Sequence, residues 1–388
     1  MTLKRRICVI TGTRAEYGIL FPLLKIFKNH PSVELQLVVT GSHLSPVHGN
    51  TYREIEQDGF YISKKIDLKL DLDSNAACVK AAGLAMLGFA DAFADLNPEI
   101  VVALGDRYEM HSAVTSCALM NIPVCHIAGG EITEGAFDDA LRHSISKMAS
   151  LHFTTHDAYS SRLRQMGAAP NSIIKTGSLA IDNIRNEALL TLEQLESKLN
   201  AKLSQPFLIL TFHPETRSQS SPLVALEEIL SALDARLDLA LIITEPNSDP
   251  GSTAIRNRLQ SYAKSRGKSV QIFPSLGRKN FLSALKLSKG LVGNSSSGIS
   301  EAPACGVGTV NIGSRQHGRL MPPSVITVMP TKSEILSALD KIISPAFKST
   351  CDISQSFYGD GTAAGKMAEI LSASDLNSML STQFHDVE

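Results

Sequence analysis

The sequence predicts an α/β protein built from two doubly wound, parallel-sheet domains. Short apolar runs alternate with helical patterns along the chain. The runs fall into two series, each large enough for one sheet. A polar helical stretch, NEALLTLEQLESKLNAKLSQP, separates the series and ends at Pro206. Strand–helix alternation of this kind implies parallel strands with helices covering both faces. The chain has 388 residues, 43% of them hydrophobic and 19% charged, which is enough for two cores.

In the first series, residues 6–11, 34–40, 99–104, 123–127, 151–154 and 172–175 read as buried strands, since they are short and rich in Val, Ile and Leu. Helical windows lie between them at 17–29, 76–96, 107–120, 138–148 and 157–166. The second series places strands at 207–212, 239–244, 270–273, 290–293, 309–312 and 325–328. The domain boundary falls near residue 190, giving domains over 1–188 and 189–359. The tail from about Gly361 holds one more helix at 363–371. Facing sheets of this class leave a cleft at the carboxyl ends of their strands, which is where ligands bind.

Charge and composition exclude several function classes. The formal net charge is −1 and no run of one sign appears, so neither nucleic acid nor an anionic membrane is an expected partner. No segment offers the ~18–20 uninterrupted apolar residues of a membrane span. The opening MTLKRRICVITG has too short an apolar run for a signal segment and reads as a first buried strand. The six cysteines include no CxxC pair and mostly lie in apolar stretches. Buried free thiols in a reducing cytoplasm are therefore expected.

The first loop, TGTRAEYG, lacks GxGxxG spacing, and the second strand ends in VVTGSH without a carboxylate. A bound dinucleotide is disfavoured on both counts. Arg14 stands just past the strand and before a helix, so guanidinium and backbone N–H groups together suit a phosphate. The stretch GNSSSGISEAP likewise follows a strand and opens a helix. It lacks the GK[ST] of a P-loop, but its small residues and hydroxyls suit an anion. Glu301 in that turn would compete with an anion unless it accepts paired hydroxyls, as on a ribose.

Acids gather at the strand ends of the first domain. VVALGDRYE supplies Asp106 and Arg107. VCHIAGGEITEG supplies Glu131. FDDALRH opens a helix with Asp138 and Asp139 and places Arg142 and His143 one turn on. In the second domain LILTFHPE puts His213 at the end of its first strand. His43 and His48, in the loop after the second strand, are expected to reach the cleft. No histidine pair has zinc-ligand spacing, so a metal is not expected, and with a dinucleotide also disfavoured no cofactor is expected.

The segments GTRAEYG, GDRYE, GGEITEGAFDDALRHSISKMASLHF, TFHPET, EPNSDPGS and GNSSSGISEAP…GSRQHGR occur in this order. Together they closely resemble the hydrolysing UDP-N-acetylglucosamine 2-epimerases of sialic acid biosynthesis, over roughly residues 6–362. The resemblance implies a GT-B-like pair of Rossmann-like domains, with the C-terminal helix, 360–388, returning to the first. It implies Asp106, Glu131, Asp138 and His213 as catalytic residues. It implies contacts to UDP or the sugar from Arg14, His43, Arg107, Arg142, Asn247, Ser295, Ser296, Glu301 and Arg319. UDP-N-acetylglucosamine would be converted to UDP and free N-acetylmannosamine by elimination to a glycal and rehydration. Two positions depart from relatives: Gly18, where some place a serine, and the GGEITEGAF loop. The same hydrolysis on a UDP- or GDP-2,4-diacetamido-trideoxyhexose, or a non-hydrolysing epimerisation, are the alternatives. A homodimer or dimer of dimers is expected, with the apolar VKAAGLAMLGFADAFADL helix as a candidate interface.

Overall fold

The computed structural model describes residues 4–69, 74–134, 137–203, 206–215, 221–246, 251–373, 375, 379 and 384–386. The chain divides into two compact units. The first runs to Glu131, resumes over Asp138–Arg185, and takes up the chain again from Gly359. The second comprises Ile132–Phe137 and Asn186–Tyr358. The segment Ile132–Phe137, read from sequence with the first domain, thus packs with the second.

Among the described residues the first unit has seven parallel strands. They are β1 (Arg5–Thr11), β2 (Val33–Thr40), β3 (Lys64–Ile66), β4 (Ile100–Leu104), β5 (Val124–Ile127), β6 (Leu151–Thr154) and β7 (Ile173–Lys175). Their order is β3-β2-β1-β4-β5-β6-β7. The second unit repeats the winding with β8 (Phe207–Thr211), β9 (Ala240–Thr244), β10 (Val270–Phe273), β11 (Leu291–Gly293), β12 (Thr309–Ile312) and β13 (Val325–Val328). These are ordered β10-β9-β8-β11-β12-β13. In each sheet the winding reverses beside the first strand, between β1 and β4 and between β8 and β11. Carboxyl ends at such a reversal form a ligand crevice.

The sequence reading missed β3. Its KKI is short, carries two lysines and lies on the sheet edge, where Lys64 pairs with Val38 in register. Charged edge strands are common because they discourage further pairing, but they carry no apolar signal.

The helix Asn75–Leu96 is long and apolar enough to cross a membrane by length and composition alone. One stripe, with Ala81, Ala85, Phe89, Ala92 and Phe93, is buried in the first unit's core, while Val79 and Leu87 are exposed. Ser74 caps its start by accepting from the Ala77 N–H at 3.2 Å, and Asn97 ends it in a left-handed conformation.

The helix Arg14–Asn29 contains Pro22. Proline has no N–H, so the carbonyl of Gly18, four residues earlier, loses its helical donor. The side chain of Asn183 supplies one, its Nδ2 lying 2.7 Å from that carbonyl in a buried position. A residue distant in sequence thereby repairs a defect the sequence builds into the helix. The C-terminal helix Ala363–Ala373 is anchored nearby: Asp182 accepts from the N–H groups of Ala363 and Ala364 at 3.1 and 2.7 Å.

Asn183→Ala should lower unfolding free energy by about 1–3 kcal/mol, the cost of a buried carbonyl left without a donor. In a Pro22→Ala background the restored N–H serves Gly18, and the same substitution should cost clearly less. Denaturant unfolding of the four proteins measures that coupling, and equal costs in both backgrounds would remove the explanation.

Candidate active site

In the first unit the chain turns at the end of β1 through Gly12 and Thr13 into the helix Arg14–Asn29. Thr13 accepts from the Glu16 N–H at 3.2 Å. The Glu16 carboxylate accepts from Gly12 and Thr13 at 2.7 and 3.1 Å, completing a capping box. These backbone donors are therefore occupied, contrary to the expectation that they await a phosphate. Arg14 remains the cation of this loop. It is half-buried, with its Nε 3.4 Å from Glu54, and burial lowers its pKa.

At the end of β4, Gly105 takes φ +82° and delivers Asp106 and Arg107. Its carbonyl is held 2.7 Å from Nε2 of the buried His126, whose Nδ1 lies 3.0 Å from the Ser146 hydroxyl. A carbonyl only accepts, so Nε2 carries the proton and Nδ1 accepts from Ser146. Burial lowers the His126 pKa to about 4, which keeps this arrangement neutral.

The end of β5 runs through Ala128, Gly129, Gly130 and Glu131. Ala128 has φ +66°, which costs a non-glycine residue roughly 1–2 kcal/mol. Gly130 is at φ +77°, and a Cβ there would lie 2.5 Å from the Tyr159 carbonyl. The turn is thus held in a conformation its sequence does not favour locally, and it aims a buried Glu131.

Arg142, on the helix Asp138–Met148, is 1% exposed. It pairs with Asp106, lies 3.6 Å from Asp139, and donates to the Glu131 carbonyl at 3.0 Å. This one guanidinium gathers the ends of β4 and β5 and the helix start that carries Asp138. Arg142 therefore does not meet its expectation as a ligand contact, because its donors serve acids and backbone. His43 also departs from expectation. It is fully buried, with Nε2 3.0 Å from Thr11 Oγ1 and Nδ1 2.7 Å from Thr51 Oγ1. Both ring nitrogens are engaged, so His43 braces its loop.

In the second unit His213 follows β8 and is buried. Asn294 clamps its backbone: the His213 N–H donates to Asn294 Oδ1 at 2.8 Å, and Asn294 Nδ2 donates to the His213 carbonyl at 2.9 Å. The Asn294 carbonyl accepts from Gln316 at 2.9 Å and Arg315 at 3.2 Å. Glu215 accepts from the Ser314 N–H and hydroxyl at 2.9 and 2.7 Å and from the Arg315 N–H at 3.2 Å. The ends of β8, β11 and β12 are thereby stitched together, with Arg319 at the close of the third loop. Gly293 permits the close approach, since a Cβ there would fall 1.9 Å from the Thr211 carbonyl.

The serine stretch is less helical than expected. Ser295 accepts from the Ser297 N–H at 3.3 Å and starts a single 3₁₀ turn, Ser296–Gly298. A one-turn helix, Glu301–Ala304, follows and contains Pro303. So short a helix has little macrodipole, and what the turn offers is hydroxyls and individual N–H groups. Burial raises the Glu301 pKa, while the Ser300 and Ser297 hydroxyls and Arg319 oppose that shift. Asn247 lies outside the described residues.

Asn294, Glu215, Glu109 and His126 were not singled out from sequence. All but His126 adjoin residues that were, inside GNSSSG, TFHPE and GDRYE. For Asn294 and Glu109 the signal is a polar side chain beside a glycine-bearing strand end.

A family model described as UDP-N-acetylglucosamine 2-epimerase matches residues 25–372. The chain belongs to the UDP-N-acetylglucosamine 2-epimerase family. It is 41% identical over 345 residues to the GDP/UDP-N,N'-diacetylbacillosamine 2-epimerase (hydrolyzing) of Campylobacter jejuni, covering 89% of each chain. It is 34% identical over 378 residues to the UDP-N,N'-diacetylbacillosamine 2-epimerase (hydrolyzing) of Legionella pneumophila, covering 97% of this chain and 98% of that one. The crystal structure of UDP-GlcNAc 2-epimerase from Neisseria meningitidis bound to UDP-GlcNAc superposes with a TM-score of 0.80 at 17% identity, covering 94% of this chain and 99% of that one. The GT-B-like fold class expected from sequence is borne out, and this member of the 2-epimerase family is an enzyme.

Two outcomes follow from the buried ionisable groups. Arg142→Met should cost about 3–5 kcal/mol because it strands the acids around it. Adding Asp106→Asn should recover part of that loss, and purely additive costs in denaturant unfolding would contradict the pairing. His43, His126 and His152 have pKa values lowered by burial to about 3, 4 and 3. Below the ordinary imidazole pKa near ~6.5 the unfolded chain binds protons the fold refuses. Stability should therefore fall as pH drops from ~6.5 towards 4, and replacing His152 by Gln should flatten that slope.

Proposed function

We propose that the chain hydrolyses a UDP- or GDP-2,4-diacetamido-2,4,6-trideoxyhexose and inverts C2, releasing the nucleoside diphosphate and the free 2-epimer. The observation that carries this reading is the 41% identity, over 89% of both chains, to a hydrolysing diacetylbacillosamine 2-epimerase, with the 34% relative pointing the same way. Plain UDP-N-acetylglucosamine is the second reading. It is favoured by the family description and by the motif resemblance, and it was the first expectation from sequence.

The chemistry explains why acids and cations are both needed. The proton on C2 has no neighbouring carbonyl and is not acidic in the ground state. Lengthening the C1–O bond first gives the ring oxocarbenium character and makes that proton removable. The nucleoside diphosphate leaves with the bonding pair, and loss of the C2 proton gives a glycal. Water then adds at C1, and a proton returns to C2 on the opposite face. The atoms balance as nucleotide sugar plus water to free sugar plus nucleoside diphosphate.

In this reading Arg14, Arg107, Arg319 and the Ser295–Ser296 turn take the diphosphate, and Glu301 takes the ribose hydroxyls. Preorganised charge of this kind is usually the largest catalytic contribution. Asp106, Glu131 and Asp138 stabilise the cationic ring and move the C2 protons, and His213 serves the departing oxygen. Arg142 keeps the acids close together despite their mutual repulsion. General acid–base action contributes about 10²–10⁴-fold.

Incubation in deuterated water with each nucleotide sugar, followed by NMR, is the test. Free 2-epimer carrying deuterium at C2 should appear from UDP- or GDP-N,N'-diacetylbacillosamine, faster than any product from UDP-N-acetylglucosamine. The reverse preference would establish the second reading. Glu131→Gln should reduce turnover by at least ~10²-fold while UDP binding by calorimetry changes little. Near-normal turnover of that variant would contradict its role.

A further inference from the structure

A second cavity lies in the first unit, at the amino ends of β6 and β7, and takes no part in the acid cluster. It encloses about 320 Å³, near the lower end of the ~300–1,000 Å³ range of small-molecule sites. Its walls come from the last turn of the helix Asp138–Met148, the start of β6 and the turn after the helix Asp157–Gln165. The acids stand at the carboxyl ends of β4 and β5, so the two places lie at opposite ends of the strands of one sheet.

His152 is the group in this cavity that calls for an explanation. It pairs in register with His126 across β5 and β6. Both ring nitrogens of His126 are engaged, by Gly105 and Ser146. His152 lines the cavity and is 2% exposed, yet among the described residues its Nδ1 has no hydrogen-bond partner. Buried polar atoms are nearly always partnered, so an orphan of this kind points to a missing partner. Burial lowers the His152 pKa to about 3, so the ring is neutral and offers a hydrogen bond without a charge.

The charge comes from Lys147. Its Nζ donates to the Met166 carbonyl at 3.0 Å and stands 4.1 Å from the centroid of the Phe384 ring. An ammonium keeps further N–H donors after one such bond. No acidic side chain is among the lining residues, and Leu163, Met166 and Ala168 make much of the wall apolar. Phe384 belongs to the C-terminal tail, which is held here by the His385 N–H donating to the Gly167 carbonyl at 3.0 Å. A Cβ on Gly167 would fall 2.3 Å from the Phe384 ring, so glycine is what lets the aromatic ring close over this turn.

We propose that this cavity binds a small carboxylic acid that also carries an amide or hydroxyl group. The carboxylate meets Lys147, the polar group meets His152, and the carbon skeleton rests against Leu163 and Met166. A nucleoside diphosphate brings more negative charge than one ammonium balances, so the cavity is not a second nucleotide site.

N-acetylglycine is the probe, since it has a carboxylate, an amide and a methyl group, and N-acetylglycinamide is its uncharged counterpart. Ligand-observed NMR titration of the unaltered protein should show the acid binding about threefold more tightly than the amide. The titration should be the same with and without saturating UDP. In Lys147→Met the acid and the amide should bind equally. His152→Leu should weaken both by at least ~tenfold. Ala169→Phe fills the cavity from a half-buried position and should abolish binding, so it decides the matter should His152→Leu fail to fold. No binding by the unaltered protein, an acid preference that survives in Lys147→Met, or full affinity in His152→Leu or Ala169→Phe would overturn the proposal. Displacement of the probe by UDP would put it in the nucleotide site and overturn the proposal equally.

Discussion

The first unit depends on one buried positive charge. The Asp106 and Asp139 carboxylates and the Glu131 backbone are brought to one guanidinium where three separate pieces of chain end, and like charges so gathered push one another apart. A guanidinium is suited to prevent this, because its planar fork serves several acceptors in fixed directions. Arg142 uses that fork on Asp106, Asp139 and the backbone of Glu131. A lysine would supply the charge but not the separate directions, and the Glu131 turn would lose its anchor. The turn needs an anchor, since Ala128 sits in a left-handed conformation that an L side chain resists.

The second unit solves the same positioning problem with mostly neutral groups. Asn294 offers one donor and one acceptor to the two backbone groups of His213, and its own carbonyl receives the loop after β12. Two charges join it: Glu215 is spent on N–H groups and a hydroxyl of that loop, and Arg315 donates to the Asn294 carbonyl. The difference follows from what each unit must orient. Acids need a counter-charge, whereas a backbone bend needs matched donors and acceptors. An amide side chain satisfies a bend without adding a net charge.

Much of the fold was legible because parallel strands buried on both faces are continuous apolar runs. Strands such as Leu151–Thr154 and Thr309–Ile312 coincide with the runs read from sequence. The edge strand Lys64–Ile66 was not legible, since an edge carries charge instead of apolar pattern. Asp106 and Glu131 were legible because each follows an apolar run beside a glycine, and Asp138 because it opens a helix. Their support was not. That Arg142 serves acids, that His43 is walled in by Thr11 and Thr51, and that Asn183 serves Gly18 are pairings across long stretches of sequence. Local pattern holds no information about them. The serine turn was misread for a related reason: small residues before an apparent helix suggest a dipole, but Pro303 and Gly306 limit the helix to one turn.

These supports bear on how the family's chemistry tolerates a crowded site. Elimination at C1 and C2 creates positive character on the ring and negative charge on the departing group within one step. A protein that met this with mobile side chains would spend much of the advantage on reorganising them. Here Asp106 and Asp139 are held by a guanidinium that is itself 1% exposed, and Arg107 is held by a carboxylate resting against glycine backbone. Fixed dipoles and charges cost no reorganisation when the bond breaks. Substitutions among the buried partners should therefore alter the site as much as substitutions among the groups they hold.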